Sequence, residues 1–137
     1  MPAQKPMSVH LFYYAPVLRR PEKKLLDLMA KSFPEAHLEV FSTAADLALR
    51  LIRPRGGASI AVIVPGGGDD LEEIHHVRNM ISDTAILVLL PDEDEEGRAR
   101  ARRLRPQYIG LVGRDTAGVI SVMDRMANAR WSRRNLP

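Results

Sequence analysis

The chain has 137 residues, a length that suits one domain, and 45% of them are hydrophobic, which is enough for a core without metal or disulfide support. It contains no cysteine, so a disulfide framework, a cysteine-ligated zinc and a cysteine nucleophile are all excluded. The net charge of +3 is a weak indication of an anionic partner. No signal peptide or membrane-spanning segment is recognisable, and we expect a cytoplasmic protein that does not contact membranes.

Strand and helix signals alternate along the whole chain. Runs of β-branched and aromatic residues predict strands, and apolar residues at spacings of three and four predict helices that begin after a cap or a proline. In chain order the predicted strands are Val9–Tyr14, His37–Phe41, Ser59–Val64, Thr84–Leu90 and Tyr108–Val112. The predicted helices begin near Pro21, Thr43, Asp69 or Asp70, the acidic run Asp92–Glu96, and Asp115 or Thr116.

Five strand–helix units with short connections predict one α/β domain. Right-handed crossovers between parallel strands place helices on both faces of the sheet. Ser59–Val64 and Thr84–Leu90 are continuous apolar runs, as is typical of central parallel strands, so the strand order 2-1-3-4-5 fits best. We therefore predict a doubly wound, three-layer (βα)5 sandwich at residues 8–130, preceded by a leader at 1–7 and followed by a basic tail at 131–137.

Five βα units in this length resemble the response-regulator receiver domain, and the resemblance covers residues 8 to 130. It rests on the element order, on the two central apolar runs and on a fourth helix with a thin apolar stripe. In receivers an acidic pair after strand one holds magnesium, and an aspartate that ends strand three takes the phosphoryl group. A Ser or Thr ends strand four, and a lysine ends strand five.

The corresponding strand ends of this chain lack all four of these residue types. Tyr13-Tyr14 occupies the expected place of the acidic pair, and Pro65 lies near that of the phosphoacceptor. Leu90 fills the end of the fourth strand, and no lysine follows Lys31. Phosphoryl transfer depends on metal and cationic stabilisation of developing charge. The resemblance therefore implies a pseudo-receiver; a flavodoxin-like domain that never had such a site is the alternative.

The same strand ends could form a degenerate pocket, for which the candidate residues are Tyr13, Tyr14, Pro65, Gly66 and Leu90. The two rings would either plug the former cavity or line a small new one, and plugging is the simpler hypothesis. The glycine-rich loop after strand three could cradle a phosphate. However, it matches no phosphate-binding motif, and the two aspartates after it would repel an anion. We predict no cofactor.

Acidic residues near the same sheet edge could bind a divalent ion, but their spacing favours another role. Asp94 with Arg98 and Glu96 with Arg100 have the i,i+4 spacing of helix ion pairs. The adjacent histidines of the third helix face different sides, so they cannot easily share one ion. We predict no metal site and no catalytic residues.

Two arginine clusters mark a candidate partner surface, because in receivers the fourth helix, fifth strand and fifth helix contact partners. Arginine and tryptophan are favoured at protein interfaces, whereas the 5% aromatic content and the lack of a recognition motif argue against nucleic acid. We predict a non-catalytic domain that binds a protein partner. That partner could be a second copy of the chain, bound through the last two helices. Sensing of a small molecule or nucleotide by the loops after strands three and four is the alternative. The candidate surface residues are Arg98, Arg102, Arg105, Tyr108, Arg125, Arg130 and Trp131.

Overall fold

A computed structural model describes residues 9–53, 58–67, 69–81 and 84–134, with side chains to residue 129. Strands and α-helices alternate throughout these ranges. The strands are β1 Val9–Tyr14, β2 His37–Phe41, β3 Ala58–Ile63, β4 Thr84–Leu90 and β5 Tyr108–Leu111. The helices are α1 Arg20–Ser32, α2 Ala44–Leu51, α3 Asp70–His76, α4 Glu95–Arg102 and α5 Thr116–Arg134, and a 3₁₀ helix spans Arg78–Met80.

The five strands form one parallel sheet in the order β2-β1-β3-β4-β5. The α/β class and the strand order predicted from the sequence are thereby confirmed. Every residue of β3 and β4 is buried, because helices cover both faces of these central strands. Among the described helices, none is both long enough and apolar enough to cross a membrane.

The sheet divides the core into two layers, and successive residues of each strand enter opposite layers. Phe12, Tyr14 and Ile63 pack with apolar residues of α2, α3 and α4. Tyr13 and Val62 pack on the other face with residues of α1 and α5. The two tyrosines that end β1 therefore belong to different layers.

Two helix boundaries differ from the sequence prediction. Apolar spacing predicts that the third helix runs to Ile81, but α3 ends at His76. Its end tightens into a 3₁₀ turn, in which the N–H of Val77 bonds to the carbonyl of Ile74 at 3.2 Å. The fifth helix continues to Arg134, so the first four residues of the predicted tail are helical. The predicted leader, residues 1–7, lies outside the described part of the chain.

Candidate functional site

The candidate site lies where β1, β3 and β4 end, the edge at which open α/β sheets bind ligands. Parallel pairing continues one residue past the ends of β3 and β5, since the N–H of Val64 donates to the carbonyl of Tyr14 at 2.8 Å and that of Val112 donates to the carbonyl of Leu90 at 2.9 Å. The edge is therefore held by regular backbone hydrogen bonds, and its loops start from fixed positions.

Asp70 joins two of these loops through one carboxylate oxygen. The hydroxyl of Tyr14 donates to Oδ2 of Asp70 at 2.7 Å, and the backbone N–H of Gly66 donates to the same atom at 2.7 Å. Asp70 is the first residue of α3, where a negative charge is stabilised by the helix dipole. We call this arrangement the Asp70 bridge; it ties the end of β1 to the loop that follows β3.

Gly66 allows the loops after β1 and β3 to pack against each other. A Cβ at this position would lie 2.6 Å from Cγ of Pro16, closer than two carbon atoms can approach. At Gly67, by contrast, an added Cβ would meet nothing within 4 Å. The close approach at Gly66 keeps its N–H within reach of Asp70 and closes the site over the ring of Tyr14.

Both tyrosines at the end of β1 are buried and hydrogen-bonded. The side chain of Tyr13 is fully buried in the other layer, and its hydroxyl donates to the backbone carbonyl of Glu22 at 2.8 Å. Burial and the negative charge of Glu22 raise the pKa of Tyr13 above its ordinary value. Burial, the hydrogen bond to Asp70 and the charge of Asp70 raise the pKa of Tyr14 in the same way. Both hydroxyls therefore remain protonated donors near neutral pH.

A small cleft of about 120 Å³ remains between the loops after β3 and β4. Of the five candidate pocket residues, Pro65, Gly66 and Leu90 line it. Tyr13 and Tyr14 are absent from its described lining, since their rings are buried in the two core layers. The cleft is well below the range of roughly 300–1,000 Å³ that suits drug-sized ligands.

The acidic residues on the other side of this cleft form hydrogen bonds and ion pairs with residues of α4. Asp94 accepts a hydrogen bond at 3.1 Å from a backbone N–H in the first turn of α4, as an N-cap residue does. The predicted pairing of Asp94 with Arg98 is therefore wrong, and Arg98 contacts Glu93 at 3.1 Å instead. The predicted pairing of Glu96 with Arg100 is confirmed.

The residues at this edge do not fit a magnesium ion of the kind that receivers bind. Mg²⁺ requires several oxygen ligands in near-octahedral geometry. One carboxylate oxygen of Asp70 already accepts two hydrogen bonds, and Asp94 caps α4. Across the described ranges, no group of three or more His, Asp or Glu residues is placed to hold a metal ion.

The candidate partner residues differ in their freedom to bind. Arg102 and Arg125 are exposed and, within the described part of the chain, have no ion pair. Arg105 donates to the side-chain oxygen of Asn79 at 3.2 Å, and Tyr108 is half-buried against the layer that contains α1 and α5. Arg98 is paired with Glu93, as described above. The side chains of Arg130 and Trp131 lie outside the described residues.

Sequence reasoning did not predict the role of Arg78. Its guanidinium donates to the carbonyl oxygens of Leu104 at 2.5 Å and Ile81 at 2.7 Å, so it ties the end of α4 to the start of the segment before β4. The bond to Leu104 spans 26 positions, and no local pattern signals it. Glu22 was also missed: it is only 2% exposed, although glutamate in a first helical turn is ordinarily solvated.

No protein-family model matches the sequence, and no curated protein is similar to it. Solved structures do match. A response regulator receiver domain protein (CheY-like) from Methanospirillum hungatei superposes with a TM-score of 0.66 at 9% identity, over 90% of this chain and 95% of that one. The signal receiver domain of an HD domain-containing protein from Pseudomonas fluorescens gives 0.67 at 13% identity, over 91% and 98%.

A third match covers only part of a longer protein. The response regulator DrrB of Thermotoga maritima, an OmpR/PhoB homologue, superposes with a TM-score of 0.63 at 11% identity, over 89% of this chain and 54% of that one. Identities this low establish the fold alone. The chain therefore has the receiver-like, flavodoxin-like fold that the sequence predicted.

Proposed function

We propose that this chain is a pseudo-receiver: a non-catalytic signalling domain that acts through protein–protein contacts and is not phosphorylated by the aspartyl mechanism of receivers. The observation that carries this proposal is the Asp70 bridge. Asp70 follows β3 on the chain and its carboxylate lies at the site edge, but one of its oxygens is bound by the hydroxyl of Tyr14 and the N–H of Gly66. It acts as a structural acceptor between two loops.

Tyr14 explains why the bridge is incompatible with phosphoryl transfer. An attacking carboxylate needs a metal ion and cationic groups to stabilise the charge that develops on the phosphoryl oxygens. Here a buried ring of 3% exposure ends β1, where receivers carry acidic residues. A tyrosine at this position supplies no carboxylate to hold a metal ion. Its ring also fills the space that the ion would need.

A magnesium titration followed by amide NMR tests this proposal. We expect the amide chemical shifts of Tyr14, Gly66 and Asp70 to stay unchanged when MgCl₂ is raised to about 10 mM. The carboxylate of Asp70 lacks the further oxygen ligands that Mg²⁺ requires. A phosphorylatable receiver titrated in the same way serves as the positive control. Saturable shifts at these amides in the native protein would contradict the proposal.

The proposed contact surface comprises the exposed arginines of α4 and α5, Arg102 and Arg125. Arginine is enriched at protein interfaces, where its planar group binds carboxylates. If the protein pairs through these helices, sedimentation velocity should show a dimer that the Arg102→Glu and Arg125→Glu variants weaken. Glu73→Lys on α3 is the control for an unspecific effect of charge. A dimer that all three variants leave intact would exclude this surface.

The cleft between the loops after β3 and β4 supports a second candidate, a domain that senses a small ligand. Arg100 and the exposed Gly67 line it, so a small anion could contact both a guanidinium and a backbone N–H. Thermal-shift screening against nucleotides and inorganic phosphate tests this function. A stabilisation that the Arg100→Gln variant abolishes would favour ligand sensing over the pseudo-receiver proposal.

A further inference from the structure

Helix α1 carries an exposed group of basic side chains that the proposed function does not use. Arg19 forms an ion pair with Glu22 at 3.8 Å. The other four basic residues are Arg20, Lys23, Lys24 and Lys31. Their side chains are exposed and, within the described ranges, form no ion pair or side-chain hydrogen bond.

A groove of about 580 Å³ lies between this helix and the start of α5. Gly113 brings the two together: its φ of 83° lies in the left-handed region, and a Cβ there would lie 3.2 Å from Cβ of Pro21. The groove is therefore shaped by a glycine that allows the loop before α5 to approach α1. Its lining includes Arg20, Lys24, Leu28, Lys31, Gly113 and Thr116.

The positive charge of α1 is less compensated than that of α4. Arg98, Arg100 and Arg103 of the segment around α4 are each paired with a glutamate. The lysines of α1 have only Asp27 as an exposed acid on their own helix. Within the described ranges, none of the ion pairs joins an acid to Arg20, Lys23, Lys24 or Lys31. We therefore expect the complement of the groove to come from another molecule.

The lining of the groove indicates a protein segment as that complement. Lysine is a flexible point charge, which suits carboxylates that approach without a fixed geometry. Asp27 interrupts the positive charge in the middle of the groove, which disfavours the continuous phosphate backbone of a nucleic acid. Leu28 and Pro21 offer apolar contact between the charges. An acidic segment with interspersed apolar side chains satisfies all three features.

We propose that the groove between α1 and α5 is a docking site for an acidic, amphipathic segment of a partner protein. Carboxylates of the segment contact Arg20, Lys24 and Lys31, and its apolar side chains pack on Leu28. This surface is separate from the arginines of α4 and α5 and from the Asp70 bridge. The failure of either proposal therefore leaves the other standing.

The test uses the full chain, labelled with ¹⁵N, and a synthetic peptide that repeats Leu-Glu-Glu. We expect amide shifts at Lys24, Lys31 and Gly113 and none at Arg102 and Arg125. The double variant Lys24→Glu, Lys31→Glu should weaken binding about tenfold or more, since it replaces attraction with repulsion. The control Arg102→Glu, Arg125→Glu has the same change of net charge and should alter the affinity less than about twofold.

Four results would overturn the proposal: amide shifts confined to Arg102 and Arg125, equal losses from the two double variants, equal binding of a Ser-Glu-Glu peptide, or tighter binding of a DNA oligonucleotide of the same charge. The third result would show that Leu28 contributes nothing, and the fourth would assign the groove to nucleic acid. All four substituted side chains are exposed, so the variants should fold; circular dichroism and thermal melting check this.

Discussion

Removing one oxygen atom tests the Asp70 bridge. In Tyr14→Phe the ring still fills its place in the core, but the donor at 2.7 Å from Oδ2 of Asp70 is lost. The carboxylate keeps the N–H of Gly66 and gains access to water, because Asp70 is half-exposed. The substitution therefore isolates the hydroxyl from the packing of the ring.

The expected loss follows from the kind of hydrogen bond. A hydrogen bond to a charged group contributes about 1.5–3 kcal/mol, and partial hydration of Asp70 places this one near the lower limit. We expect Tyr14→Phe to reduce the free energy of unfolding by about 1.5 kcal/mol. Tyr14→Ala removes a buried ring as well and should cost about 3–5 kcal/mol.

Urea denaturation measures both losses, and a double-mutant cycle with Asp70→Asn assigns the smaller one. If the hydroxyl acts through Asp70, the Tyr14→Phe change should cost much less in the Asp70→Asn background, with a coupling of about 1 kcal/mol. Tyr13→Phe is the matched control, because its hydroxyl donates to a backbone carbonyl in the other core layer. Additive effects of Tyr14→Phe and Asp70→Asn would contradict the Asp70 bridge, and unchanged stability of Tyr14→Ala would refute the plugging hypothesis.

Three further changes test other parts of the structure. Gly66→Ala should lower the free energy of unfolding by about 1–3 kcal/mol, because its methyl group would clash with the Pro16 ring, whereas Gly67→Ala should change it by less than about 1 kcal/mol. Arg78→Met should cost about 2–4 kcal/mol by leaving two backbone carbonyls without their donor. The raised pKa of Tyr13 stabilises the fold fully below the unfolded-state value of about 10, and this contribution is lost as the pH rises through the folded-state value. Tyr13→Phe should therefore lose less stability in alkali than the native chain.

Urea titration measures the first two, and denaturation at pH values from about 8 to 11 measures the third. Equal stability of Gly66→Ala and Gly67→Ala would contradict the close packing of the two loops. An Arg78→Met variant as stable as the native chain would show that water replaces the guanidinium without cost. Parallel pH profiles for Tyr13→Phe and the native protein would contradict the perturbed titration of this group.

The fold was largely predictable because it depends on local signals that agree with one another. The continuous apolar runs at 59–64 and 84–90 require burial on both faces, and this fixes the two strands in the middle of a parallel sheet. The spacing of apolar residues predicts a third helix that is too long, since it cannot show that the Arg78 side chain donates to the carbonyl of Ile81 and to that of Leu104 beyond α4.

The candidate site was predicted only in outline. The sequence places two tyrosines at the end of β1, but the alternation of the strand sends Tyr13 and Tyr14 into different layers, so only the second contacts the site. The bond from Tyr14 to Asp70 joins residues 56 positions apart, and no short-range pattern encodes it. The sequence also left open whether Asp69 or Asp70 caps α3. Asp69 makes no side-chain cap bond, and the carboxylate of Asp70 turns back to Gly66.

Phosphorylation by a small donor tests the central claim most directly. The protein is incubated with acetyl phosphate and MgCl₂, and its intact mass is measured beside that of a phosphorylatable receiver treated in the same way. We predict no gain of a phosphoryl group, because the carboxylate of Asp70 is a bridging acceptor and, among the residues that the structure describes, no group of three or more His, Asp or Glu is placed to hold a metal ion. A stable phosphoryl adduct on Asp69 or Asp70, lost in the corresponding asparagine variant, would contradict the account.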